Sequence, residues 1–110
     1  MNNETFININ YLNWEKETSE GIVLLDFWAE WCSACISQDK IYEELKKKFG
    51  NKIKIGKIHV GDNRFLSDMY GVRNIPYLII LKNGKKITQM PGIMSKEALF
   101  NQIEKLIENE

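Results

Sequence analysis

The stretch Ile22–Trp28, I-V-L-L-D-F-W, limits what this chain can fold into more than any other. It is apolar and rich in β-branched and aromatic residues, without strict alternation. That pattern marks a strand covered on both faces, hence a central strand with a parallel neighbour. Parallel neighbours need crossover helices, so the rest of the chain must supply them. One residue breaks the run: Asp26, an acid in its middle. The run then leads through Ala29-Glu30-Trp31 to Cys32, with Cys35 three positions on.

Past the cysteines the period changes. Ile41, Leu45 and Phe49 recur every four residues, which predicts a helix over Ser33–Phe49. The charged E-E-L-K-K-K lies largely on its solvated side, and Gly50 and Asn51 end it. Elsewhere the pattern predicts a strand at Thr5–Ile9, a short helix over Tyr11–Glu17 closing near Gly21, and a strand at Ile53–Val60. A short helix follows over Leu66–Tyr70, closed by Gly71. Y-L-I-I-L-K-N-G-K-K-I-T-Q-M reads as a hairpin turning at Asn83-Gly84. Ser95 caps a last helix with Glu97 in its first turn and Leu99, Ile103, Leu106 and Ile107 on its apolar face. The order β-α-β-α-β-α-β-β-α implies an α/β protein: a mixed sheet between helices, with the hairpin adding antiparallel edges. A chain of 110 residues, 44% apolar and without linker or repeat, fits one domain over 1–110.

Fifteen basic and fifteen acidic side chains cancel, which argues against nucleic acid or an anionic membrane as partner. No apolar stretch is long enough to span a bilayer. The opening M-N-N-E-T-F-I-N-I lacks a basic segment followed by an apolar one, so a cytoplasmic setting is expected. Lys-, Asn- and Ile-rich usage hints at an AT-rich bacterial genome. The glycines of G-N-K-I-K-I-G-K-I fail the spacing and chemistry of a phosphate loop.

The chain has two cysteines only. A structural disulfide across so short a loop constrains the unfolded chain little, and in the cytosol it tends to be reduced. A structural zinc site takes four ligands, and two Cys with His59 do not make one, so no metal is expected. Redox chemistry is the use that remains favoured over two unrelated cysteines or half a metal site. Cys32 falls at a helix start, where free N–H groups and the helix dipole favour a thiolate. Cys35 lies one turn on along the same face, better shielded. Cys32 would attack a substrate disulfide, and Cys35 would resolve the mixed disulfide. Asp26, costly to bury as a carboxylate, should have a raised pKa. It is either a proton acceptor for Cys35 or a buried acid satisfied by hydrogen bonds.

D-F-W-A-E-W-C-x-x-C, with Asn74-Ile75-Pro76 and then Lys82-Asn83-Gly84 downstream, resembles the thioredoxin family over nearly the whole chain. The resemblance implies the thioredoxin fold, a central mixed five-stranded sheet flanked by four helices. It implies dithiol–disulfide exchange on protein substrates, with Cys32 the nucleophile, Cys35 the resolving thiol and Asp26 the proton carrier. No cofactor beyond a redox-active Cys32–Cys35 disulfide is expected. Electrons would come from a thioredoxin reductase or another thiol donor, and the protein would act as a monomer. Lys57 matches a lysine that partners the aspartate. Ile75-Pro76 resembles the family's cis-proline turn, whose backbone is open to an extended substrate segment. Trp31, Ile75, Pro76, Gly92 and Ile93 would form a mostly apolar docking surface, with Trp28 as support behind it. His59 shares a strand face with Lys57 and reads as a partly buried structural residue.

Three departures stand out. Ser33-Ala34 sits between the cysteines where Gly-Pro is usual. Ala34 restores an N–H and Ser33 adds a hydroxyl, both favouring the Cys32 thiolate. A couple less reducing than the roughly −270 mV typical of thioredoxins is expected. Lys40 replaces a common kinking proline, which predicts a straighter helix. Tyr77 follows Pro76 where threonine is usual, and Pro91 precedes Gly92. Both bear on substrate range and on reductase docking. The competing reading is a redox-inactive binding or chaperone-like module of the same fold. The intact cysteine pair together with Asp26 disfavours it, as missing ligands disfavour a dithiol metal carrier.

Overall fold

A computed structural model describes residues 5–109. Along the chain run β1 (Ile7–Asn8), α1 (Trp14–Thr18), β2 (Ile22–Trp28), α2 (Ser33–Phe49) and β3 (Ile53–His59). After these come α3 (Arg64–Met69), β4 (Tyr77–Lys82), β5 (Lys85–Pro91) and α4 (Lys96–Glu108). A single 3₁₀ turn over Gly50–Lys52 joins α2 to β3. The five strands form one mixed sheet in the order β1-β3-β2-β4-β5. β3 is parallel to β1 and β2, whereas β4 runs antiparallel to β2 and β5.

Strand parity sorts the core into two layers, because successive side chains point to opposite faces. Ile22 and Leu24 of β2, Ile53 and Ile55 of β3, and Leu78 and Ile80 of β4 pack with Tyr42 and Leu45 of α2 and Leu99 and Ile103 of α4. Val23, Leu25 and Phe27, with Ile58, Ile79 and Leu81, pack on the other side with Leu66 of α3 and Trp14 of α1. Asp26 and Lys57 follow the parity of the first set, so both face α2. Both faces of β2 are thus covered, and burying each Leu, Ile or Phe there contributes about 2 kcal/mol.

Gly56 lies where β3 passes under Ile9, and a Cβ there would collide with the Ile9 side chain. The hairpin turn takes Asn83 at φ 51° and Gly84 at φ 83°, the left-handed pair that a two-residue turn between twisted strands requires.

Five expectations need correction. The first strand is Ile7–Asn8 rather than Thr5–Ile9, although the Ile9 amide still bonds the Lys57 carbonyl at 2.9 Å. The first helix starts at Trp14, not Tyr11. Asn10 and Asn13 hold the preceding backbone in side-chain turns, Asn10 Oδ1 accepting from the Leu12 amide and Asn13 Oδ1 from the Asn10 amide, each at 2.8 Å. In α2 the buried stripe is Cys35, Gln38, Tyr42 and Leu45, with Ile41 and Phe49 only on its flanks. A four-residue spacing drifts around a 3.6-residue helix, so the stripe cannot stay with one four-residue series. Finally β4 is interior, between β2 and β5, and only β5 is an edge. The helix at 66–70 starts two residues early, at Arg64, and α2 runs unbroken through Lys40.

Candidate active site

β2 delivers the chain to the start of α2, and Cys32 is the N-cap of that helix. Its backbone is extended (φ −98°, ψ 97°), its amide bonds the Ala29 carbonyl at 3.1 Å, and its carbonyl accepts the Ile36 amide at 3.2 Å. Its Sγ accepts the Cys35 amide at 3.1 Å. The amide that reaches the sulfur is therefore that of Cys35, while Ser33 is exposed and Ala34 half-buried. Cys32 and Cys35 are joined in a disulfide, with Cα atoms 5.3 Å apart. The two sulfurs are unequal: Cys32 keeps 8% of its surface exposed and Cys35 none.

Behind α2, Asp26 and Lys57 stand opposite each other in the parallel β2–β3 register. Lys57 Nζ lies 3.3 Å from Asp26 Oδ2 but 2.6 Å from Oδ1 of Asp39, which α2 supplies one turn beyond Cys35. The ammonium also sits over two rings, 4.8 Å from the Trp28 centroid and 5.0 Å from that of Phe6. Neither oxygen of Asp26 receives a hydrogen bond from the described residues. Lys57 meets it as a charge, not as a well-directed donor. Burial pushes the Asp26 carboxyl up to about 6; Lys57 pulls it down, and the negative charge of Asp39 pushes it further up. Burial and, after it, the Asp26 charge hold the phenol of Tyr42 above the ordinary tyrosine range.

His59, two residues past Lys57 on the same face, packs edge-on to Trp28 with ring centroids 5.1 Å apart. Its Nε2 lies 2.6 Å from Glu30 Oε1, and the Asp62 amide bonds its Nδ1 at 3.2 Å. The hydrogen bond from His59 lowers the pKa of Glu30. This is a half-buried histidine held by local partners, as expected.

The remaining residues expected at the site fall into two groups. The Ile75–Pro76 peptide is cis. The Gly92 amide bonds the Pro76 carbonyl at 2.9 Å, which sets the turn carrying the exposed Ile93 against it. Gly92 has φ 86°, a conformation open to glycine at little cost. Trp31, exposed, shares a groove of about 370 Å³ with Ile75, Val60, Arg64 and Arg73. Pro76, Gly92 and Ile93 lie outside that groove. Tyr77 pairs with Phe27 and Pro91 across the sheet, and its half-buried ring packs on the α1–α3 layer.

Sequence reasoning missed Asp39, Phe6 and Glu30. Asp39 carried one signal, its place four residues after a buried cysteine on the same helix. Among the described residues no cluster of three or more His, Cys, Asp or Glu is arranged to hold a metal ion.

The thioredoxin family model matches residues 5–105. The chain belongs to the thioredoxin family. It is 43% identical over 93 residues to a thioredoxin of Bacillus subtilis, covering 84% of this chain and 89% of that one. A thioredoxin of Listeria monocytogenes is 40% identical over 93 residues, covering 84% and 90%. In structure the chain is similar to a mutant thioredoxin from Halobacterium salinarum, with TM-score 0.82, 26% identity, and 91% and 88% of the two chains covered. The fold is the thioredoxin fold, and the activity is thiol–disulfide exchange of the protein-disulfide reductase kind. Thioredoxins act on disulfide-containing proteins and are regenerated by a reductase, and the family gives this chain the same general partners.

Proposed function

We propose that the Cys32–Cys35 pair is the whole redox centre, working with no other cofactor. The observation that carries this is the inequality of the two sulfurs at the start of α2. The Cys32 thiolate attacks one sulfur of a substrate disulfide, forming a mixed disulfide and releasing the other sulfur as a thiolate that takes up a proton. Cys35 then loses its proton, attacks Cys32 and expels the second substrate sulfur. Two electrons pass to the substrate, and the protein is left as the disulfide. Asp26, with Lys57 beside it, accepts the Cys35 proton, a task for which an acid titrating near 6 is well matched. Trp31, Ile75, Pro76, Gly92 and Ile93 receive the substrate, and Ser33-Ala34 tune the couple. The protein works as a monomer in a bacterial cytoplasm, regenerated by a thioredoxin reductase or a small thiol. The bacterial relatives support that setting. No helix among the described residues is long and apolar enough to cross a membrane.

Insulin disulfide reduction driven by dithiothreitol tests the centre. Cys32→Ser should fall to the dithiothreitol background, and turnover equal to the wild type overturns the reading. Asp26→Asn should slow release from the mixed disulfide near neutral pH, and an unchanged single-turnover rate removes Asp26 from the mechanism. Equilibration with glutathione should give a couple less reducing than about −270 mV, the reference figure for thioredoxin. A value at or below that figure excludes the assigned role of Ser33-Ala34.

A further inference from the structure

The geometry points to Asp39 as a positioning residue, which holds the Lys57 ammonium off Asp26 and so sets the proton affinity of the acid that serves Cys35. This rests on the reading of Asp26 as the proton acceptor. The Lys57 ammonium lies between two carboxylates. Lys57 is buried, and its ammonium lies 2.6 Å from Asp39 but 3.3 Å from Asp26. Of these two contacts only that with Asp39 is a hydrogen bond, and both oxygens of Asp26 are left without a donor among the described residues. The rings of Phe6 and Trp28, at 5.0 and 4.8 Å, flank the ammonium in this position. The preference follows from solvation. The Asp39 side chain keeps 25% of its surface in contact with water and Asp26 keeps 1%, so the carboxylate that is cheaper to ionise takes the cation.

The charged and titratable groups facing Asp26 are few. β3 supplies Lys57, α2 supplies Asp39 and Tyr42, and β4 sets Leu78 opposite it. Cys35 lies on α2, one turn before Asp39. Asp39 therefore acts on Asp26 in two ways of the same sign. It claims the hydrogen bond from Lys57, and it adds a negative charge nearby. Both favour the protonated form of Asp26. A strongly paired Asp26 would be too weak a base for a thiol near neutral pH, and Asp39 prevents that pairing. Among the described residues Asp39 makes no hydrogen bond to either sulfur, and its influence on Asp26 passes through Lys57 and the local field.

The test follows the Asp26 side-chain carboxyl by 13C NMR in the full-length oxidised protein as pH is varied. Asp39→Asn should lower its titration midpoint by about one pH unit, and Asp39→Ser should do the same. Asp39→Glu, which keeps the charge, should restore most of the wild-type midpoint. The pH midpoint of mixed-disulfide release should move with the carboxyl. A midpoint that stays put in both Asp39→Asn and Asp39→Ser, or that rises, overturns the inference, whatever either variant does to thermal stability. The two readings fail separately. If release in the wild type does not follow the Asp26 titration, the proton-acceptor role falls, while the carboxyl midpoint still decides whether Asp39 sets the affinity of Asp26.

Discussion

Lys57 and His59 sit two residues apart on the same face of β3, and each faces two carboxylates. Lys57 lies between Asp26 and Asp39; His59 lies between Glu30 and Asp62. The carboxyl groups respond in opposite directions. Glu30, hydrogen-bonded to His59 and 72% exposed, has its pKa lowered. Asp26, beside a full ammonium charge but 1% exposed, has its pKa raised. Proximity to a basic group does not decide the sign. The loss of water around Asp26 costs more than Lys57 returns, and the closer Asp39 takes the hydrogen bond. At the rim, water screens both partners and a hydrogen bond is enough to favour the ionised form. The same ingredients give an acid with a raised pKa in the interior and a modest surface contact at the edge.

Removing each basic residue in turn separates the two settings most strongly. Lys57→Met should destabilise the fold by about 3 kcal/mol at pH 8, since two carboxylates then face each other in the interior without a cation. His59→Gln should cost much less, because its carboxylate partners Glu30 and Asp62 lie largely in solvent. Urea unfolding of the two variants side by side decides it. Equal losses would dissolve the distinction.

The next effect has the opposite sign. Asp26 has an ordinary pKa of 3.8 and a folded value of about 6. Below pH 4 it is protonated in both states and contributes nothing to pH dependence. Between pH 4 and 6 the unfolded chain releases the proton first, so stability falls as pH rises, and above 6 the penalty is complete. A difference of about two pH units corresponds to roughly 3 kcal/mol as an upper figure. Asp26→Asn should therefore stabilise the protein at pH 7–8 by something approaching that amount and change little at pH 3. Thermal melts across this range would show a gain confined to the upper end, and a gain independent of pH would contradict it.

The smallest effect belongs to Glu30. Its lowered pKa means that any stability it adds is present above the carboxylate range and lost as pH falls through it. Glu30→Gln should leave the neutral-pH melting temperature nearly unchanged, with any difference shrinking in acid. A large loss at neutral pH would mean that the rim contact is not the weak one.

Much of this architecture was readable in the residues. Ile22–Trp28 and Ser33–Phe49 match the observed β2 and α2 end to end, since a doubly buried strand and a long helical stripe leave few alternatives. Asn83-Gly84 placed the hairpin for the same reason. Short elements were read less well. Asn10 and Asn13 replace the first turn of α1 with side-chain bonds that no apolar period reveals. The interior place of β4 depends on which strand it pairs with, a long-range choice that local pattern does not encode. Cys32 and Cys35 were legible from spacing and position alone, and the pairing of Asp26 with Lys57 needed the family resemblance. Asp39 was not legible, because its meeting with Lys57 depends on the rotation of α2 over the sheet, which is set by Tyr42, Leu45, Leu99 and Ile103 together.

The alternation of side chains along β2 has a further consequence for how such a chain tolerates length changes. Insertion or deletion of one residue between Leu24 and Asp26 would keep composition and strand propensity almost intact. It would also turn the acid into the layer beneath α1 and α3, away from Lys57 and from the helix that bears the sulfurs. Most single substitutions in β2 would weaken the protein by degrees. A one-residue frame slip there would instead leave a foldable sheet whose redox pair has lost its acid, so insertions and deletions should be far rarer in β2 than in the turn at Asn83-Gly84, where added length falls in solvent.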